Sequence, residues 1–153
     1  MKTRHLAALV LLAAAALFAA GCGGDDDSTT TLKLVEHADT DTLQHVGPAN
    51  EKDSIGDVLG FANDVYNGDN SKKLGTDNGM CMRTAVGKAF ECVWTVSLAG
   101  GQITVEGPFY DAKDSTLAIT GGTGSYDQAG GHMTLHARND KGTEYDFTYV
   151  IEK

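Results

Sequence analysis

A chain of 153 residues with 21 acidic and 12 basic side chains carries a formal charge of −9 and is 41% hydrophobic. No basic cluster interrupts that acidity, which excludes nucleic-acid binding through phosphates and disfavours anionic headgroups. The length suits one domain with one core.

The chain opens as an export signal. Lys2, Arg4 and His5 precede an uncharged apolar run over residues 6–20, and Ala19-Ala20-Gly21 stand directly before Cys22. A positive start, an apolar stretch and small residues at a cleavage point make a secretory signal. The run is shorter than the ~20 residues a spanning helix needs. A cysteine placed just after the small residues resembles a bacterial lipobox. Cys22 is therefore expected to become the lipid-bearing N-terminus, two acyl chains supplying stable anchoring. The competing reading is a plain signal peptide cut after Gly21. The expected location is extracytoplasmic, lipid-anchored to the cell membrane. Removing residues 1–21 takes away Lys2 and Arg4 and no acid, which leaves a net charge of −11.

Residues 23–31 contain only Gly, Asp, Ser and Thr. Such a composition buries too little to offset its ordering entropy, so residues 22–31 are predicted to be a flexible acidic tether. The folded domain is then 32–153.

That domain reads as nearly all strand. Residues 32–37, 56–66 and 73–86 form the first three candidate strands. The run 55–66 has helix-compatible spacing, but its β-branched residues and Gly60 favour a strand. Residues 89–98 put Phe90, Cys92, Trp94, Val96 and Leu98 on one face against Glu91, Thr95 and Ser97. Residues 101–110 alternate Ile103, Val105 and Phe109 with Gln102, Thr104 and Glu106. After a strand at 115–120, residues 132–138 and 144–152 repeat the period of two, the last placing Tyr145, Phe147, Tyr149 and Ile151 together. About eight antiparallel strands with 19 glycines at the corners suit a closed barrel, which leaves no exposed edge. A sandwich is the alternative. Cys81 and Cys92 flank a turn at Gly87, and a hairpin centred there sets 81 opposite 92. That register predicts a disulfide, worth roughly 3 kcal/mol if unstrained, with half a zinc site as the competing reading.

Glycine-rich segments carry a resemblance. Residues 56–68, from Gly56-Asp57-Val58 through Phe61-Ala62-Asn63 to Gly68, followed by Gly75 and Gly79-Met80-Cys81, resemble plant allene oxide cyclases. Gly107-Pro108-Phe109-Tyr110, Gly121-Gly122-Thr123-Gly124-Ser125-Tyr126 and Ala129-Gly130-Gly131 continue it, and the last two stretches are also similar to dirigent proteins. The resemblance implies an eight-stranded barrel with a ligand cavity in its mouth, often a homotrimer. It also implies a site. Glu36 occupies the position of a carboxylate that steadies positive charge developing on an epoxide substrate, a role suited to a low-dielectric cavity. Asn63 matches a residue that holds a water, and Phe61 matches a wall aromatic. The departures are specific. Ala38 stands where the family has a second asparagine, and Gly47-Pro48 is the nearest match to a water-binding Ser-Pro pair. Ser115 and Thr116 replace the acid and arginine of dirigent proteins.

The expected catalytic residues are thus Glu36 and Asn63, and the expected ligand wall is Phe61, Trp94, Tyr145 and Tyr149. Gly121-Gly122-Thr123-Gly124 lacks the Lys-Ser/Thr and helix of a phosphate loop, so it reads as a turn. His132 and His136 share a strand face without a third ligand in reach; no metal and no cofactor are expected. Two functions compete: a barrel that binds a small hydrophobic molecule, and a cyclase or isomerase acting on a hydrophobic epoxide-type substrate. A structural envelope protein, its barrel filled by its own side chains, is a third.

Overall fold

The computed structural model describes residues 28–153. The signal, Cys22 and most of the tether lie outside the described residues.

Nine strands follow in chain order: β1 (Thr29–His37), β2 (Thr42–Gln44), β3 (Val58–Asn67), β4 (Lys73–Ala85), β5 (Ala89–Leu98), β6 (Gly101–Tyr110), β7 (Ser115–Gly122), β8 (Gly130–Ala137) and β9 (Glu144–Glu152). They form one antiparallel sheet in the order β1-β9-β8-β7-β6-β5-β4-β3-β2, and β1 also pairs with β3, which closes eight strands into a barrel. The result is a closed barrel and not a sandwich, and β2 covers a short segment of β3 that β1 leaves unpaired. The run at 55–66 is a strand from Val58 onward.

Beyond shifts of one or two residues at other strand ends, two features differ from the sequence expectation. β1 begins at Thr29, not at residue 32, because Thr29, Thr30 and Thr31 pair with Glu152, Ile151 and Val150 along the free edge of β9. Threonine is a good strand former once such an edge is available. The ninth strand, β2, is too short to show a period. It runs along β3 as a displaced continuation of β1: β1 pairs Leu34–His37 with β3, the chain leaves the sheet at residues 38–41, and Thr42–Gln44 return to Gly60–Val58.

The core lies inside the barrel. Leu34, Val65, Trp94, Val96, Ile103, Val105, Leu117, Met133, Phe147 and Tyr149 are all nearly or fully buried. Their alternation with outward polar residues is the period of two seen in the sequence. Cys81 and Cys92 are opposed in the β4–β5 ladder and form a disulfide, and Gly87 takes the positive φ of +62° that the turn between them requires. Gly79 clears the interior beside them: a Cβ there would lie 2.2 Å from the Trp94 Cβ.

Candidate functional site

The interruption of β1 builds the site. Where residues 38–41 leave the ladder, Thr40 folds across β3. Its backbone N–H donates to Asn63 Oδ1 at 3.0 Å, its hydroxyl donates to the same oxygen at 2.9 Å, and the Ala62 N–H donates to that hydroxyl at 2.8 Å. A side chain thus replaces a ladder partner, as bulges next to functional sites often require. Asn63 Nδ2 donates to Glu36 Oε1 and to Asp41 Oδ1, each at 2.8 Å. An amide offers two N–H donors and two lone pairs, so these four contacts occupy all of Asn63. The amide is 1% exposed and works as a rigid clip between Glu36, Thr40 and Asp41.

Glu36 sits on β1 opposite Val65, with its side chain inside the barrel and 5% exposed. Together with Asp41, Leu59, Phe61, Cys81, Trp94, Phe109, Leu135, Tyr145 and Phe147 it lines an inner cavity. This cavity has about 50 Å³ of room for the centres of water-sized molecules, enough for a few waters. Phe109, Leu135 and Tyr145 also border a wider polar vestibule of about 530 Å³ between the loops at 111–114 and 138–142. Arg83 braces this end of the barrel, stacked on Phe90 at 3.6 Å and ion-paired with Asp53 and Asp111.

Of the expected ligand wall, Phe61, Trp94 and Tyr145 face the inner cavity. Phe61 meets Trp94 edge-on at 6.0 Å, and Trp94 stacks on Phe147 at 5.7 Å. Tyr149 is fully buried behind this layer and is not part of the cavity lining. Burial pushes its hydroxyl far above the ordinary tyrosine range. The Trp94 indole N–H lies near that hydroxyl, but neither completes a full hydrogen bond.

One functional candidate escaped the sequence reading. Asp77 on β4 is 0% exposed, lies across from Asn63 on β3 and Val96 on β5, and neither of its oxygens receives a hydrogen bond. A signal for it existed. The Cys81–Cys92 register puts Asp77 on the same face as Cys81, hence inside the barrel. A lone acid between Gly75 and Gly79 on a predicted strand carries no apolar alternation of its own, so only the disulfide register reveals the face it takes.

The electrostatics follow from this crowding. Burial pushes the Glu36 carboxyl up to about 7, and the charge of Asp41 adds to that, while hydrogen bonds with Asn63 and Asp77 pull it back. Burial pushes Asp77 further, to about 9, with the neighbouring Glu36 as the second cause. A hydrogen bond between two carboxyls exists only when one of them carries the proton. A carboxyl that titrates near neutrality on a largely apolar cavity wall is suited to act as a general acid. Among the described residues no cluster of His, Cys, Asp and Glu is arranged to hold a metal. His136 instead bonds Asp114 at 2.7 Å on the surface. Gly122 and Gly124 make a tight turn: a Cβ on Gly122 would fall 2.3 Å from the Tyr126 carbonyl.

The chain is similar to the solved structure of a pyocyanin demethylase, at 27% identity and a TM-score of 0.65, over 77% of this chain and 98% of that one. A pterocarpan synthase dirigent protein matches at 17% identity and a TM-score of 0.67, over 82% of this chain and 94% of that one. An exo-specific intermolecular Diels-Alderase matches at 12% identity and a TM-score of 0.66, over 84% of this chain and 100% of that one. The last two likenesses concern the fold alone. The family model described as allene oxide cyclase matches residues 27–139, which span β1 to β8 and every residue of the Glu36–Asn63–Asp77 cluster, and the chain belongs to the allene oxide cyclase family.

Proposed function

We propose that this barrel takes a small hydrophobic molecule through its mouth and that Glu36 serves as the acid for an intramolecular cyclisation or isomerisation of that molecule. The observation that carries the proposal is the placement of Glu36: a buried carboxyl on a cavity wall that is otherwise aromatic and aliphatic apart from Asp41 and the disulfide-bonded Cys81. Apolar walls exclude water and strengthen any charge interaction with a developing cation. Membership of a family named for a cyclase supports the reading, as do fold relatives named as a synthase and a Diels-Alderase. The inner cavity alone is small, so the ligand extends past Tyr145 and Phe109 into the vestibule. In this reading Asn63 does not hold a water. It fixes the Glu36 carboxyl and the loop at 38–41. Cys22, as the lipidated residue, would place the barrel outside the cytoplasmic membrane, and its supply of ligand would then come from outside or from the membrane itself.

Trp94 is the sole tryptophan and stands on the cavity wall, so its fluorescence reports occupancy directly. Naphthalene is expected to quench it saturably in both the wild type and Glu36→Gln. Turnover of small unsaturated epoxides, followed by gas chromatography, is expected in the wild type and at least about tenfold lower in Glu36→Gln, a loss of ~1.4 kcal/mol in transition-state stabilisation. Non-saturable quenching would defeat the cavity. Quenching with equal turnover in both proteins would leave a binder and remove Glu36 as the acid.

A further inference from the structure

The acid role assigned to Glu36 leaves Asp77 without a task. This carboxyl is fully buried, and neither oxygen has a partner at full hydrogen-bond geometry, its own backbone N–H being the single donor turned toward it. A bare carboxylate in such a place is strongly disfavoured, and that one N–H does not offset it. Asn63 stands directly across the ladder, but both of its N–H groups are committed to Glu36 and Asp41. Val96, its neighbour on β5, is apolar. The charged or titratable groups that face it are Glu36 from β1, Asp41 from the interrupted segment and Tyr149 from β9, and none of these brings a positive charge. His37 acts on Glu36 only, from the outer side of β1, where its ring stacks on Tyr66.

We propose that Asp77 is a neutral carboxylic acid that donates its O–H to Glu36 and is thereby the positioning residue of the site. It sits off the cavity wall and never meets the ligand. Glu36 is the group that exchanges a proton with the cavity. When Glu36 transfers its proton to the ligand, its O–H bond breaks, a bond from hydrogen to the ligand forms, and the carboxylate left behind accepts the Asp77 O–H. The proton returns to Glu36 when the rearranged ligand gives it up, so no external base is consumed. A buried carboxylic acid that stays neutral in order to donate is an established device for stabilising a neighbouring anion. The catalytic consequence rests on the function proposed for Glu36. The protonation of Asp77 belongs to the protein without ligand, so the two are tested apart.

The test is ¹³C NMR of protein labelled at the Asp and Glu side-chain carboxyls, followed from pH 5 to 10. The wild type is expected to keep one aspartate in the acid form at pH 8, and Asp77→Asn to lose that signal. The Glu36 midpoint then separates a donor from a charge. The amide introduced by Asp77→Asn still donates an N–H and carries no charge, so this variant should leave the Glu36 midpoint within a few tenths of a unit. Asp77→Ala removes the donor and should raise it. A fall of more than one unit in Asp77→Asn would mean that Asp77 is a carboxylate in the wild type, and the proposal fails. No acid-form aspartate at pH 8 in the wild type overturns it without any variant, so misfolding of a mutant cannot shelter it. In turnover, Asp77→Asn should keep the wild-type pH profile and Asp77→Ala should move its alkaline limb upward. A merely structural role would lower the rate without moving that limb. If the NMR outcome holds while Glu36→Gln keeps full turnover, the acid function of Glu36 falls and the shared proton stands.

Discussion

Asp57 and Asp77 are both 0% exposed, yet they lie at opposite ends of what burial does to a carboxyl. Asp57 anchors the segment between β2 and β3. Val46 N–H and His45 Nδ1 reach its two oxygens at 2.8 Å, and Ser54 N–H donates at 2.9 Å. Burial pulls this carboxyl up, but the three partners outweigh burial and hold it below the usual carboxylate range. Asp77 draws only a weak offset from its own backbone N–H, and burial prevails. The supply of N–H groups decides the sign, and the supply differs because Asp57 sits in a loop with free backbone N–H groups while Asp77 sits mid-strand, where the ladder has taken them.

The largest effect expected from this contrast is on folding. Asp57→Asn turns an acceptor surrounded by donors into a group that faces N–H with NH₂, and at least one buried donor loses its partner. The melting temperature should drop on the order of 10 °C, in line with unmet buried donors in a domain of this size. Asp77→Asn removes no hydrogen bond from the wild-type fold except the O–H to Glu36, which the amide replaces. Scanning calorimetry at pH 6 should find it within a few degrees of the wild type. Equal losses in the two variants would break the comparison.

The second effect is on pH dependence. Asp77 and Glu36 have folded pKa values raised above their unfolded ones, so the folded state binds more protons than the unfolded state between them. Their stabilisation is fully present below about pH 4 and is lost as pH rises through about 7 for Glu36 and about 9 for Asp77. Urea midpoints of the wild type should therefore fall from pH 5 to 9. In Asp77→Asn the slope should flatten by up to about 1.4 kcal/mol per pH unit, the contribution of one proton, making the variant the more stable protein at pH 9. A slope unchanged by Asp77→Asn would place the retained proton elsewhere.

The same contrast shows what the sequence made legible. Alternation along β5, β6, β8 and β9 defined the interior, because in a barrel with one buried face every second residue must be apolar. The Cys81–Cys92 register was legible for the same reason. Glu36 and Asn63 emerged only through family resemblance, since a lone acid and a lone amide on strands carry no periodic signal. The clip that joins them was hidden. Thr40 and Asp41 reach Asn63 only because the chain leaves the sheet at residues 38–41, and a break of that kind depends on where β2 rejoins β3. Asp77 needed one further step along a register already in hand. Tyr149 was correctly read as inward-facing, but period two cannot tell a cavity wall from the layer behind it.

The smallest effect sharpens the Asp57 side. His45 supplies one of three partners, with its Nδ1 on Asp57 and its Nε2 on the Pro48 carbonyl at 3.3 Å. Its pKa is raised, first by the bond to Asp57 and then by Pro48. A raised histidine contributes stability that is fully present below its unfolded pKa and is lost as pH climbs through its folded one. His45→Ala should thus lower the melting temperature by a few degrees near pH 6, less than Asp57→Asn because the Val46 and Ser54 N–H groups keep their acceptor. The deficit should shrink toward pH 9, where the neutral ring still donates but no longer adds a charge. Thermal melts at pH 6 and 9 check this. A deficit that grows with pH would mean that the imidazole is held neutral in the folded state, and its charge would then play no part in holding Asp57 ionised.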